Sequence, residues 1–192
     1  MGPYKYLNSI KYKNGAYILT PLREQDIFRI KDWRNAQLDV LRQKSELTNE
    51  DQERYYHNIV KPTFTHPAPT QMLFSFLLNT ECIGYGGITN IDWESKRVEL
   101  SFLLDNKRVF IDTVYINEFS IFIALIKQLV FDDLLFNRIF TDTYDIRPLH
   151  ISILEKNGFL FEGRMRQHVV INGKFVDSLI HGFLREQYDL KK

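Results

Sequence analysis

The chain has 192 residues, 44% hydrophobic and 14% aromatic, enough for one packed domain and too rich in rings for a disordered one. Its 25 basic and 24 acidic residues leave a formal net charge of +1, which argues against nucleic acid as the main partner, since neutralising many phosphates takes a far more basic surface. Cys82 is the only cysteine, so an internal disulfide and a cysteine-cluster zinc site are excluded. The first fifteen residues lack an apolar run of signal-peptide length, and no uncharged apolar stretch reaches the ~18 residues of a membrane span. The expectation is a cytoplasmic protein with no membrane partner.

In chain order, residues 1–15 read as an N-terminal tail and 16–190 as a single domain. A short strand is expected over Ala16–Thr20. From Glu24 to Asn35, Ile27, Ile30 and Trp33 recur every three residues, which predicts an amphipathic helix. Thr48 and Asp51 have capping-box spacing and open a second helix, expected to stop before Pro62. PTFTHPAPT is a loop by its three prolines.

The pattern then turns to strands. Residues 72–79 and 82–91 form a hairpin, and 97–104 a third strand with Val98, Leu100, Phe102 and Leu104 on one face and Arg97, Glu99, Ser101 and Leu103 on the other. A nearly all-apolar helix over about 117–135 is expected to be buried on more than one side. A strand at 138–144, a short helix from Pro148 to Asn157 and a hairpin turning at Asn172-Gly173 complete the chain. This order is that of an α/β (α+β) domain: a mixed, mostly antiparallel central sheet flanked by helices, with one βαβ crossover.

Three stretches carry a resemblance. Phe136-Asn137-Arg138-Ile139 opens a strand, LEKNGFLFEGR (154–164) ends a helix, and Gly173–Asp177 spans a hairpin. In this order they resemble the C-terminal half of GNAT N-acetyltransferases, in the branch that acetylates ribosomal proteins. DWRNAQLDVLRQ, from residue 32, is similar to acetyltransferases acting on nucleotide-linked amino sugars. The resemblance covers roughly residues 16–188. It implies an N-acetyltransferase moving an acetyl group from acetyl-CoA to the primary amine of a small acceptor, most simply a nucleotide-linked amino sugar. A protein or peptide N-terminus is a second acceptor class, and a non-catalytic binding module with the same fold is the rival from another class. A homodimer is compatible with the resemblance.

The resemblance also assigns residues. Glu99 sits where the family often keeps a glutamate that takes the amine's proton; the alternative is a sheet-face pair with Arg97 or a neighbouring lysine. Backbone amides at about Phe102, Leu103 and Leu104 polarise the thioester carbonyl where the central strand splays from its parallel neighbour. The phosphates lie at the next helix N-terminus, but the two loop glycines that grip them are replaced by Tyr115 and Asn117, and a family arginine by Asp112. Lys107 and Arg108 are the substitute charges, with Asn117 the residue best suited to a glycine's geometry. Arg147 and His150 stand where an asparagine and a serine touch the cofactor arm. Leu154 fills the slot of the usual tyrosine acid, leaving Tyr144 and His150 as replacements. Trp33, Arg34, Asn35, Arg42 and Tyr56 are the candidates for the acceptor pocket. Their plainer readings are core for Trp33 and helix termination for Arg34 and Asn35. His168 and His181, isolated on strands, read as structural, and Cys82 as a small core residue. Gly84, Gly86 and Gly87 do not form a dinucleotide fingerprint and mark a bulge or a close approach. No metal-ligand cluster is visible in the sequence.

Overall fold

The alternation at 97–104 is realised as a central strand with both faces covered. The computed structural model describes residues 4–7, 9 and 11–190. Eight strands, β1 (Tyr12–Asn14), β2 (Tyr17–Pro21), β3 (Met72–Leu78), β4 (Glu81–Asp92), β5 (Arg97–Leu104), β6 (Arg138–Tyr144), β7 (Leu160–Ile171) and β8 (Lys174–Leu184), form one sheet in the order β1-β2-β3-β4-β5-β6-β8-β7. All neighbours are antiparallel except β5 and β6. That parallel pair is joined by the expected crossover, helix α5 (Asp112–Lys127), which continues as a π-turn over Gln128–Asp133.

Val98, Leu100, Phe102 and Leu104 face α5 and join the larger core, with Phe102 stacked on Phe119 at 4.6 Å. Leu103, on the other face, joins a second core with Tyr85, Trp33, Ile27 and Ile30. This second face is covered by α1 (Ile27–Asn35), α2 (Asn49–Tyr55) and α3 (Lys61–Thr63). The α5 segment is long and apolar enough to cross a bilayer, but its apolar residues are consumed by the sheet and by α6 (Pro148–Lys156).

Gly86 permits the close approach expected inside β4: a Cβ there would lie 2.1 Å from the Ser101 carbonyl oxygen of β5. The Asn172-Gly173 hairpin forms as the sequence predicts, with φ of 50° and 75°.

Three expectations are corrected. Part of the supposed tail belongs to the fold: β1 pairs with β2, and Tyr4 is buried, its hydroxyl donating to Leu73 O (2.9 Å) and accepting from Leu73 N–H (2.7 Å). The second helix does not stop before Pro62. A π-turn at Tyr56–Val60 relaxes the hydrogen-bond ladder, and the chain remains helical to Thr63. The crossover helix begins at Asp112, and a short helix α4 (Asn106–Val109) precedes it. Tyr115 and Asn117 therefore lie inside α5, not in a loop. A last helix, α7 (Arg185–Asp189), and β1 have no counterpart in the sequence reading.

Candidate active site

The parallel pairing of β5 and β6 spans only Arg97↔Arg138, Val98↔Ile139 and Glu99↔Phe140. Beyond Glu99 the strands diverge, and the gap is a passage of about 390 Å³ through the sheet. On the acceptor side it opens into a cavity of about 1030 Å³, with Arg42, Asn90, Glu99, Asp142 and Tyr144 lining both spaces. On the α5–α6 side it meets an apolar cavity of about 580 Å³ through the shared residues Val40, Arg147 and His150. The three spaces form one route from one face of the sheet to the other.

Glu99 lies at the floor of this route, 6% exposed. A carboxylate so buried must be compensated. Arg42 Nη2 donates to its Oε1 at 2.8 Å, and Asn90 Nδ2 to its Oε2 at 2.5 Å. The same Arg42 nitrogen bridges to Asp142 Oδ2 at 2.9 Å. Asn90 points there because the β4–β5 register slips between Thr89 and Asp92, a bulge in which Asn90 takes φ 46°. The alternative pairing of Glu99 with Arg97 does not occur, since Arg97 binds Asp92.

Backbone alternation decides which amides face the gap. Asp105 N–H donates to Ile83 O of β4 at 2.8 Å, so the groups of Leu103 and Ser101 also turn to β4, and those of Phe102 and Leu104 turn to β6. Of the three expected amides, those of Phe102 and Leu104 face the gap and that of Leu103 faces β4. The Leu104 carbonyl accepts from Gln37 Nε2 at 2.9 Å, which ties the end of β5 to the segment after α1.

On the α5–α6 side, Arg147 Nη2 donates to the Tyr115 hydroxyl at 3.1 Å, and that hydroxyl lies 2.7 Å from His150 Nδ1. Burial, with Arg147 next in weight and His181 after it, holds His150 well below the usual imidazole range. The ring is therefore neutral, and the Tyr115 hydroxyl, which accepts from Arg147, shares one hydrogen bond with His150 Nδ1. The ring stacks on Phe119 at 4.3 Å. Tyr115 is a wall of the cleft, and Phe110, 84% exposed, does not obstruct it.

The remaining candidates divide. Arg108 is held by the buried carboxylate of Glu118, so Lys107 is the less committed of the two expected charges. Asn117 faces Tyr17 from the exposed side of α5 and is no part of the cleft. Trp33 is core. Arg34 lines the passage but is spent on Gln43 (2.8 Å) and the Tyr85 hydroxyl. Asn35 fastens the following loop through both backbone groups of Leu47, each at 2.9 Å. Tyr56 is buried in the second core, and its neighbour Tyr55 lines the passage instead. Tyr144 lines the site, and burial raises its phenol above the ordinary value, so it carries its proton at neutral pH. Asn90 and Asp142 were missed; the only sequence signal for Asn90 is an asparagine, tolerant of positive φ, inside a strand.

A family model described as an acetyltransferase (GNAT) domain matches residues 19–180. The chain belongs to the GNAT acetyltransferase family. Acetyl-CoA is the acyl donor of this family, and the cleft of this GNAT chain suits it: two amides face the gap, and an apolar cavity leads to it. A prophage-derived uncharacterized N-acetyltransferase of Bacillus subtilis, YokL, is 28% identical over 68 residues, which are 35% of this chain and 38% of that protein. Among solved structures, spermidine N-acetyltransferase from Vibrio cholerae, in complex with CoA and spermine, superposes with a TM-score of 0.79 at 17% identity, covering 91% of this chain and 99% of that one. A putative acetyltransferase reaches 0.72 at 16% identity, covering 94% and 89%. At such identities these likenesses establish the GNAT fold.

Proposed function

We propose that this protein transfers an acetyl group from acetyl-CoA to the primary amine of a small acceptor, with Glu99 as the proton-accepting group. The observation that carries the reading is the convergence of a buried carboxylate, two gap-facing amides and a route open on both sides of the sheet. When bound, the donor supplies an activated acyl carbon. Phe102 N–H and Leu104 N–H stabilise negative charge developing on its carbonyl oxygen. Glu99 draws the proton from the incoming ammonium, directly or through water, before the nitrogen attacks. Tyr144, on the same face, presents a protonated hydroxyl to the acceptor side, and His150 lies on the opposite side, where the sulfur departs. Arg147 is the cation that lines the donor side.

The acceptor is a small amine. The 32–42 stretch, which suggests a nucleotide-linked amino sugar, is largely occupied in holding the fold through Trp33, Arg34 and Asn35. Arg42 is the residue of this stretch that meets the carboxylates of the cleft, where Glu99 and Asp142 oppose it, two carboxylates to one guanidinium. This balance favours a cationic acceptor over a phosphorylated one.

The test is Glu99→Gln, scored by thiol release from acetyl-CoA against a panel of primary amines. The turnover of the best acceptor should fall by about 10²-fold or more, the loss recovering partly at alkaline pH where the free amine is populated. Unchanged turnover across pH would remove Glu99 from this role.

A further inference from the structure

His181 of β8 is fully buried, 0% exposed, and neither ring nitrogen has a hydrogen-bond partner among the described residues. Its register partner across the β6–β8 ladder is Thr141, whose buried Oγ1 is also unpartnered. Leaving such buried groups unpaired costs stability, so their retention in one place calls for a reason. Directly opposed residues share a face of the sheet, here the α5–α6 face. Thr141 lines the passage through the sheet together with His150. On its other side, His181 Nε2 lies 3.5 Å from Glu155 Oε1, a carboxylate on α6 that is half exposed to solvent.

The surroundings of His181 are otherwise settled. His150 approaches it electrostatically from α6, and Glu162 of β7, which also senses it, is bound by Arg138. Phe161 meets it edge-on at 5.6 Å, and Lys127 of α5 sits over Phe183, two residues along β8. The polar groups left on its two sides are Glu155, 3.5 Å away toward solvent, and Thr141, opposed to it across the ladder toward the site but not hydrogen-bonded to it as the side chains stand.

We propose that His181 is a positioning residue that conducts protons between solvent at Glu155 and the sulfur side of the acyl-transfer passage at Thr141. This rests on the acetyl-transfer reading. As the N–C bond forms and the C–S bond breaks, the ammonium gives up two protons on the Glu99 face. The departing sulfur requires one on the opposite face. Supplying it through Glu155, His181 and Thr141 balances the reaction with a net release of one proton. The route also answers the absence of a tyrosine at Leu154, a buried aliphatic position on α6.

Nitrogen-15 imidazole spectra of the full chain, recorded between pH 6 and 9 with CoA and with desulfo-CoA, test the proposal, with calorimetry confirming binding of each. The His181 resonances should respond to CoA and not to the analogue lacking sulfur. Thr141→Val should abolish this difference while CoA still binds, and His181→Phe, which removes two unpaired nitrogens, should melt no lower than the wild type. An identical His181 response to both ligands, or a difference that survives Thr141→Val, would overturn the relay and leave the acetyl-transfer reading standing. Failure of CoA to bind would overturn both.

Discussion

His150 shows how burial sets the state of a single residue: the imidazole is forced to stay neutral in the fold. The unfolded chain binds a proton at this residue near pH 6.5, and the folded chain does so only well below that. The unfolded state therefore holds more protons in this window, and stability must decline as pH falls below about 6.5. Thermal melts from pH 7.5 to 5 should show this slope in the wild type, and His150→Phe should flatten it. The depressed carboxylates, Glu162 beside Arg138 among them, act at lower pH and do not mask the effect. Glu99 is legible from the sequence because strand alternation gives its face. Asn90 is not, because a bulge re-aims it, and the choice of Tyr56 over Tyr55 fails because a π-turn begins there.

At the scale of elements, the joint between α4 and α5 is held by a buried ion pair. Arg108 from α4 grips Glu118 of α5, whose side chain is 1% exposed, and Tyr17 of β2 reaches the same carboxylate at 3.4 Å. The charge expected to meet phosphates is instead a rivet between two helices. Arg108→Met strands a buried carboxylate and should cost about 3 kcal/mol, toward the lower end for a buried pair because the arginine is partly exposed. Urea unfolding measures this. Adding Glu118→Leu to Arg108→Met should restore most of the loss, since an apolar pair in the same space needs no compensation. The sequence reading placed this helix five residues late because periodicity is blind to a polar first turn: Asp112 and Thr113 are exposed and apolar packing starts at Tyr115.

For the molecule as a whole, the decisive feature is continuity of the route through the sheet. Its passage is bounded by β5, β6 and α6, and its walls reach the α1–α2 connection, so occupying it should tie these parts together. Melting with CoA at about 100-fold above its Kd should raise stability by about 2.7 kcal/mol, and no shift at millimolar CoA would favour a non-catalytic module with the same fold.

The amino-acid sequence alone determined the order of elements, the single crossover, the two faces of β5 and the GNAT kinship, because hydrophobic period and turn chemistry are local properties of the chain. Tertiary structure alone decided which cations are free. Arg34, Arg42 and Arg108 look alike in sequence, and each is assigned by a partner 51, 57 or 10 residues away. A side chain's charge is written in the sequence, but its availability depends on which distant carboxylate or hydroxyl the fold brings within hydrogen-bonding reach.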